Sequence, residues 1–187
     1  MIRVENISAS YGSTAVFRSL SLEIPSGALA LVTGKNGTGK STLCRILSDL
    51  KDIDSGSVTV TGTVSLAAPC VVPYGAMTIR EIQSLVCDSP EEVSMMNDLF
   101  AGMGGVRPVD TVSALSSGAL QKLSLSLALS RNANTVILDE PFTHIDSDAV
   151  RFLAGHIRTL SSTVLVASHR TDINLQPDIE ISLDTRP

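Results

Sequence analysis

The sequence predicts an α/β fold with a sheet-based core, on three observations. An apolar run from Ala28 to Val32 leads into Gly34-Lys35-Asn36-Gly37-Thr38-Gly39-Lys40-Ser41, which fits G-x-x-x-x-G-K-[ST] and precedes a stretch with helical spacing. A second run, Thr135-Val136-Ile137-Leu138, is apolar and partly β-branched, reads as a buried strand, and ends in Asp139-Glu140. Finally, 187 residues with 43% hydrophobic and 18% charged side chains suit a single domain with a substantial core.

From the N-terminus, Ile2 to Ile7 and Leu20 to Ile24 read as strands with polar residues between apolar ones, joined through the Tyr11-Gly12 turn region. Gly27 precedes the strand that feeds the glycine-rich loop. The helix expected from Lys40 to about Leu50 puts Leu43, Ile46, Leu47 and Leu50 on one core-facing stripe, with Cys44 as a packing residue. Ser57 to Ala67 alternates β-branched residues around Gly62, as a strand pair or bulge does. Two helix starts follow. Thr78 with Glu81 forms a capping box ahead of Ile79, Ile82 and Leu85, and Ser89-Pro90-Glu91-Glu92 forms another with Pro in the first turn. Gly102, Gly104, Gly105 and Pro108 then mark a flexible connection to Leu115. Leu123 to Ser130 alternates leucine with small residues in strand-like fashion, although Leu120, Leu123 and Leu127 also suit a helix. Strands are expected near Thr135–Leu138, Thr163–Ala167 and Ile179–Leu183, with a helix between Ser147 and Leu160.

The loop chemistry points to a nucleotide. Its glycines permit positive φ and close backbone approach, so N–H groups aim at phosphate oxygens at the positive end of a helix. Gly34, Asn36, Gly37, Thr38, Gly39, Lys40, Ser41 and Thr42 form the binding set, with Lys40 reaching the β- and γ-phosphates and the Ser41 hydroxyl ligating Mg²⁺. Asp139 suits the Mg²⁺ shell and Glu140 is free to act on water. An apolar run ending in Asp-Glu-Pro is on its own more often an ordinary strand and turn; the loop upstream changes that balance.

Composition excludes other classes. A net charge of −5, a pI near 5.1, 3% aromatics and no dense Lys/Arg run leave neither stacking platforms nor phosphate-tracking stripes, so nucleic acid is not expected as a partner. Cys44, Cys70 and Cys87 are widely spaced and odd in number, which reads as reduced thiols in a cytoplasmic protein. Met1 to Glu5 lacks the layout of a signal peptide. Ser55 to Ile79 is uncharged, yet Pro69, Pro73, Gly56, Gly62 and Gly75 break its apolar character, and it is rejected as a membrane span.

Together with Tyr11, Leu115-Ser116-Ser117-Gly118, Asp146 and His169, these motifs resemble the nucleotide-binding domain of ATP-binding cassette (ABC) proteins. The likeness covers nearly the whole chain, with 23 residues from Ser116 to Asp139, 7 from Asp139 to Asp146 and 30 from Asp139 to His169. It implies a P-loop NTPase core with a mixed sheet flanked by helices, an N-terminal antiparallel β region and a small inserted helical subdomain. Residues 1–70 and 132–187 would form the core of this single domain, and 71–131 the helical part, with the Leu123–Ser130 segment a helix.

The same resemblance implies two chains, a homodimer or a heterodimer, sandwiching two ATP molecules. Tyr11 would stack on adenine, Glu140 would be the general base, and His169 would contact the γ-phosphate, with Lys40 and Mg²⁺ neutralising charge. Ser116 and Gly118 would serve the partner's ATP, and Asp146 would reach across the dimer or simply cap a helix. His144 and His156 are read as solvent-facing or structural. Separate transmembrane subunits would hold the chain at the cytoplasmic face of the membrane, and its shortness leans toward export; the alternatives are a soluble ABC ATPase outside transport and a partner-dependent heterodimeric ATPase with one weakened site. Two departures stand out. The position of the family's loop glutamine is best matched by Cys70, a poor partner for hard Mg²⁺. The signature reads Leu115-Ser116-Ser117-Gly118-Ala119 where the family has Leu-Ser-Gly-Gly-Gln.

Overall fold

Two sheets and five α-helices make up the computed structural model, which describes residues 1–69, 76–105, 111–170 and 172–184. Cys70, Pro73, Gly75 and Pro108 lie outside the described residues. β1 (Ile2–Tyr11), β2 (Thr14–Ile24) and β4 (Ser55–Val60) form an antiparallel sheet in the order β2-β1-β4. β3 (Leu29–Thr33), β5 (Val64–Ala67), β6 (Thr135–Asp139), β7 (Thr163–Ala167) and β8 (Ile179–Ser182) form a second sheet in the order β5-β6-β7-β3-β8. Every pairing in that second sheet is parallel.

Period-two burial explains why the parallel strands read as continuous apolar runs. Ala30, Val32, Ile137, Leu165 and Ala167 face one apolar cluster, while Leu29, Leu31, Val136, Leu138, Val164 and Val166 face another. Both faces are covered, so no alternation survives in the sequence. The first face packs on α1 (Lys40–Leu47) and the antiparallel sheet; the second on α3 (Pro90–Gly102), α4 (Ser117–Ser130) and α5 (Ser147–Ile157). At roughly 1.5–3 kcal/mol for each fully buried Val, Leu or Ile, these two layers dominate the stability of the fold.

A third cluster joins α2 (Ile79–Val86), α3 and α4 through Ile79, Ile82, Met96, Phe100, Val112 and Leu123. Helix α4 therefore lies between two cores, with Leu125, Ala128 and Leu129 on one side and Leu123 on the other. Apolar residues are needed nearly all round, and that produces the strand-like leucine alternation of a segment that is helical.

Several sequence expectations are corrected in detail. The N-terminal strands extend to a two-residue hairpin at Gly12-Ser13, where Tyr11 pairs with Thr14. β4 and β5 do not pair with each other: β4 adds to β1 and β5 to β6, with Gly62 at φ 80° between them. Helix α1 ends before Leu50, which is 64% exposed instead of buried. There Asp49 turns to φ 58°, and the Asp49 and Leu50 N–H groups donate to the Ile46 and Arg45 carbonyls, which closes the helix. The Thr78–Glu81 capping box is present, but Leu85 behind it is exposed. At α3, Ser89 accepts from the Glu92 N–H as expected; the Glu92 carboxylate instead takes the N–H groups of Asp88 and Asn132. Among the described residues, no helix is long and apolar enough to cross a membrane.

Candidate active site

Strand order assembles the site. β7 lies between β6 and β3, so the segments after their carboxyl ends, His169, Asp139-Glu140 and the glycine-rich loop, converge at one edge of the sheet. The loop presents Lys35, Asn36 and Gly37 as an exposed crest, while Gly34, Gly39, Lys40 and Thr42 are buried, with Thr38 and Ser41 between these extremes. Gly39 caps α1 at φ 100°, and a Cβ there would lie 2.6 Å from the Phe17 ring. Gly34 is equally confined, its would-be Cβ 2.6 Å from Thr38 Oγ1. Helix α1 has neither a side-chain cap nor an acidic residue in its first turn, which leaves its positive end available to an anion.

Lys40 folds back over this loop. It is 6% exposed and its Nζ donates to the carbonyls of Gly34 (2.7 Å) and Lys35 (3.1 Å). The loop is itself tethered: the Lys35 N–H donates to Asp184 Oδ1 at 2.7 Å and Thr38 Oγ1 to the Lys35 carbonyl at 3.0 Å.

Asp139 is 4% exposed, and its Oδ1 is buried without a hydrogen-bond partner. Burial pushes its carboxyl above the usual range, the Ser41 hydroxyl bonded to it pulls the other way, and the neighbouring Glu140 charge adds to the rise. An orphaned, buried carboxylate oxygen beside a hydroxyl is a hard-oxygen donor pair, which fits Mg²⁺. A Mg²⁺ ion bound there would keep waters and phosphate oxygens in its shell.

Glu140 bridges the two neighbouring segments. Its Oε1 lies 3.5 Å from Lys40 Nζ, and its Oε2 lies 2.8 Å from His169 Nδ1 while accepting the His169 N–H at 3.3 Å. A carboxylate only accepts, so this contact places the proton on Nδ1. Glu140 itself has φ 48°.

Tyr11 stands beside α1, 47% exposed, with Arg45 Nη1 donating to its hydroxyl at 3.4 Å and Lys51 Nζ 4.6 Å from the ring centroid. The Arg45 contact holds the phenol below its ordinary range. Ser116 and Gly118 are not drawn to the loop. Ser116 is exposed and caps α4 by accepting the Ala119 N–H at 3.2 Å, and a Cβ on Gly118 would meet the His144 carbonyl at 2.5 Å. Asp146 caps α5 through the Ala149 N–H at 2.9 Å and pairs with Lys122 at 2.7 Å. His144 is exposed and His156 half-buried, the latter held below its ordinary range by burial.

Besides Arg45 and Asp184, sequence reasoning missed further neighbours of the site. Gln121 donates to the Glu140 carbonyl at 3.3 Å, Arg170 Nη1 donates to the Phe142 carbonyl at 3.3 Å, and Lys51 covers Tyr11. Gln121 did leave a trace, as a polar residue in line with Leu125 and Ala128 on an apolar helix face.

The family model described as ABC transporter matches residues 17–143. The chain is 33% identical over 187 residues to the energy-dependent translational throttle protein EttA of Haemophilus influenzae, covering 90% of this chain and 32% of EttA. It is 31% identical over 201 residues to the sulfate/thiosulfate import ATP-binding protein CysA of Nocardia farcinica, covering 98% of this chain and 60% of CysA. The chain thus spans about a third of the length of the EttA relatives. In structure it resembles the dimeric bacterial ABC transporter cassette MJ0796, with a TM-score of 0.85, 19% identity, and 98% of this chain and 95% of that one covered.

Proposed function

The chain belongs to the ABC transporter family, and from that premise we propose that it binds ATP with Mg²⁺ and hydrolyses it as a dimer, supplying energy to separate membrane-spanning subunits at the cytoplasmic face. The observation that carries the chemistry is Glu140, placed between Lys40 at 3.5 Å and His169 at 2.8 Å and next to Asp139, whose Oδ1 has no partner. The open N-terminus of α1 and Lys40 hold the β- and γ-phosphates. Glu140 takes the proton of the attacking water. His169, held on Glu140 through Nδ1, would contact the γ-phosphate and link it to that water. Ser41 and Asp139 would hold Mg²⁺, which would supply charge neutralisation on the phosphates. Tyr11 offers a ring face to the base, and Ser116 and Gly118 serve the partner's nucleotide.

The same reading treats 71–131 as a helical subdomain and 1–70 with 132–187 as the nucleotide-binding core. Its support is the third apolar cluster, whose members all fall between Met77 and Leu127. A second reading, a cassette acting outside transport, is favoured by the 33% identity to EttA. The expectation of export finds no support in these relatives, since CysA is named for import.

The test is Mg²⁺-dependent ATP hydrolysis by the purified chain over a wide concentration range, with Glu140→Gln as control. A specific rate that climbs with concentration and falls about 100-fold or more in Glu140→Gln supports a self-pairing ATPase. Equal rates in both proteins would remove Glu140 from the base role. Purification with membrane proteins supports the transport reading, and purification with ribosomes the second.

A further inference from the structure

We propose that Gln121 is a positioning residue for Glu140, tying the backbone of the base to the helix whose N-terminus carries Ser116. The inference rests on the reading of Glu140 as the base. Glu140 is held at φ 48°, a conformation an L-residue keeps only where its surroundings over-determine it. Its N–H donates to the Ala167 carbonyl at 2.8 Å. Its carbonyl accepts from Thr143 Oγ1 at 2.8 Å, from the Thr143 N–H at 3.3 Å and from Gln121 Nε2 at 3.3 Å.

These restraints differ in origin. Thr143 belongs to the same turn as Glu140, and Ala167 to the adjacent strand. Gln121 alone reaches in from α4, and at 7% exposure it is packed into place. Facing a carbonyl, its amide must present the nitrogen, because two oxygens would repel. Two further contacts fasten the start of α4 to the same 140–146 segment: Gly118 sits tight on the His144 carbonyl, and Lys122 pairs with Asp146 at 2.7 Å. A shift of α4 when its exposed end grips a nucleotide on the partner is therefore passed to this chain's own base. Gln121 is the contact that reaches Glu140 directly.

Gln121→Met separates positioning from packing. Methionine keeps the length and volume of the side chain, and the Glu140 carbonyl retains its Thr143 donors, so no buried acceptor is stranded. The experiment compares steady-state ATP hydrolysis of the full chain as wild type, Gln121→Met, Gln121→Glu, Glu140→Gln and the Gln121→Met/Glu140→Gln double variant. Loss of one hydrogen bond should lower kcat roughly five- to tenfold in Gln121→Met, with KM and melting temperature close to wild type. Gln121→Glu, isosteric but without the donor, should fall at least as far. In the Glu140→Gln background, Gln121→Met should change nothing further, because the group it positions is already disabled. Multiplicative effects in the double variant, or a change confined to KM or stability, would overturn the proposal. Wild-type turnover in Gln121→Met with a slow Glu140→Gln would sink the positioning role alone, whereas wild-type turnover in Glu140→Gln would sink the base assignment beneath it.

Discussion

The loop end of the molecule and the start of α4 both carry motifs of the family, yet they differ in how their polar groups are satisfied. At the loop end, Lys40, Thr42 and Asp139 are buried, and Asp139 keeps an oxygen without a partner. At the start of α4, Ser116 and Ser117 are exposed, and the Ser116 hydroxyl is engaged in capping its own helix. A buried carboxylate oxygen left without a partner costs roughly 1–3 kcal/mol, and beside a phosphate-binding loop it marks a place for a cation. An exposed, self-capped helix start implies nothing by itself, so its role has to be sought in a second molecule.

The largest effect should come from the loop end. Lys40→Ala removes the charge that Gly34, Lys35 and Glu140 hold over the loop. We expect turnover to fall about 100-fold or more, with weaker ATP binding by titration calorimetry and little loss of fold. Unchanged binding and turnover would erase the contrast between the two ends.

Next is Gly118→Ala at the start of α4. The added Cβ would sit 2.5 Å from the His144 carbonyl, a backbone atom that cannot rotate aside. Overpacking of this kind costs about 1–3 kcal/mol, read as a lower midpoint of chemical unfolding. Loss of turnover with full stability would instead show that this glycine acts only across the dimer.

Asp139→Asn probes the loop end from the stability side. Burial raises the Asp139 carboxyl in the fold, so its charge is a penalty that is absent below the ordinary carboxylate range and grows as pH rises through the shifted one. Without Mg²⁺ at neutral pH, the variant should gain about 1 kcal/mol in unfolding free energy, a gain that vanishes in acid, while losing Mg²⁺-dependent nucleotide binding. A destabilised variant would mean that the carboxylate is needed by the fold itself.

Legibility follows the same divide. The loop, Asp139 and Glu140 could be read because phosphate and metal chemistry demands particular residue types at fixed spacing beside apolar strands. The strands flanking them were legible from β-branched runs, since a doubly covered sheet leaves long apolar stretches. The ends of elements were not: the stop of α1 before Leu50 depends on Asp49 adopting positive φ, which no apolar period signals. Gln121 shows in the sequence only as a polar residue on an apolar helix face; its partner, a backbone carbonyl 19 residues away, leaves no pattern in the chain. The separate destinations of β4 and β5 likewise turn on strand pairing across the fold.

Asp146 tests the comparison most finely, since it ties α4, through Lys122, to the start of α5. Its carboxylate caps α5 and pairs with Lys122, and the Lys122 contact first, with the Ala149 N–H second, holds it down to about 2. A depressed carboxyl contributes stability above its ordinary range, and loses it as pH falls from there toward 2. The group is exposed, so the effect on unfolding should be small and weakened by salt. Asp146→Asn keeps a capping oxygen and removes the charge for Lys122, whereas Asp146→Ala removes both. If the residue serves only its own chain, Asn should leave the unfolding midpoint nearly unchanged, Ala should lower it measurably, and turnover per assembled dimer should follow neither. If it also reaches across the dimer, turnover in Asn should drop while stability holds, and the contact with Lys122 would be one of two arrangements that the same carboxylate makes.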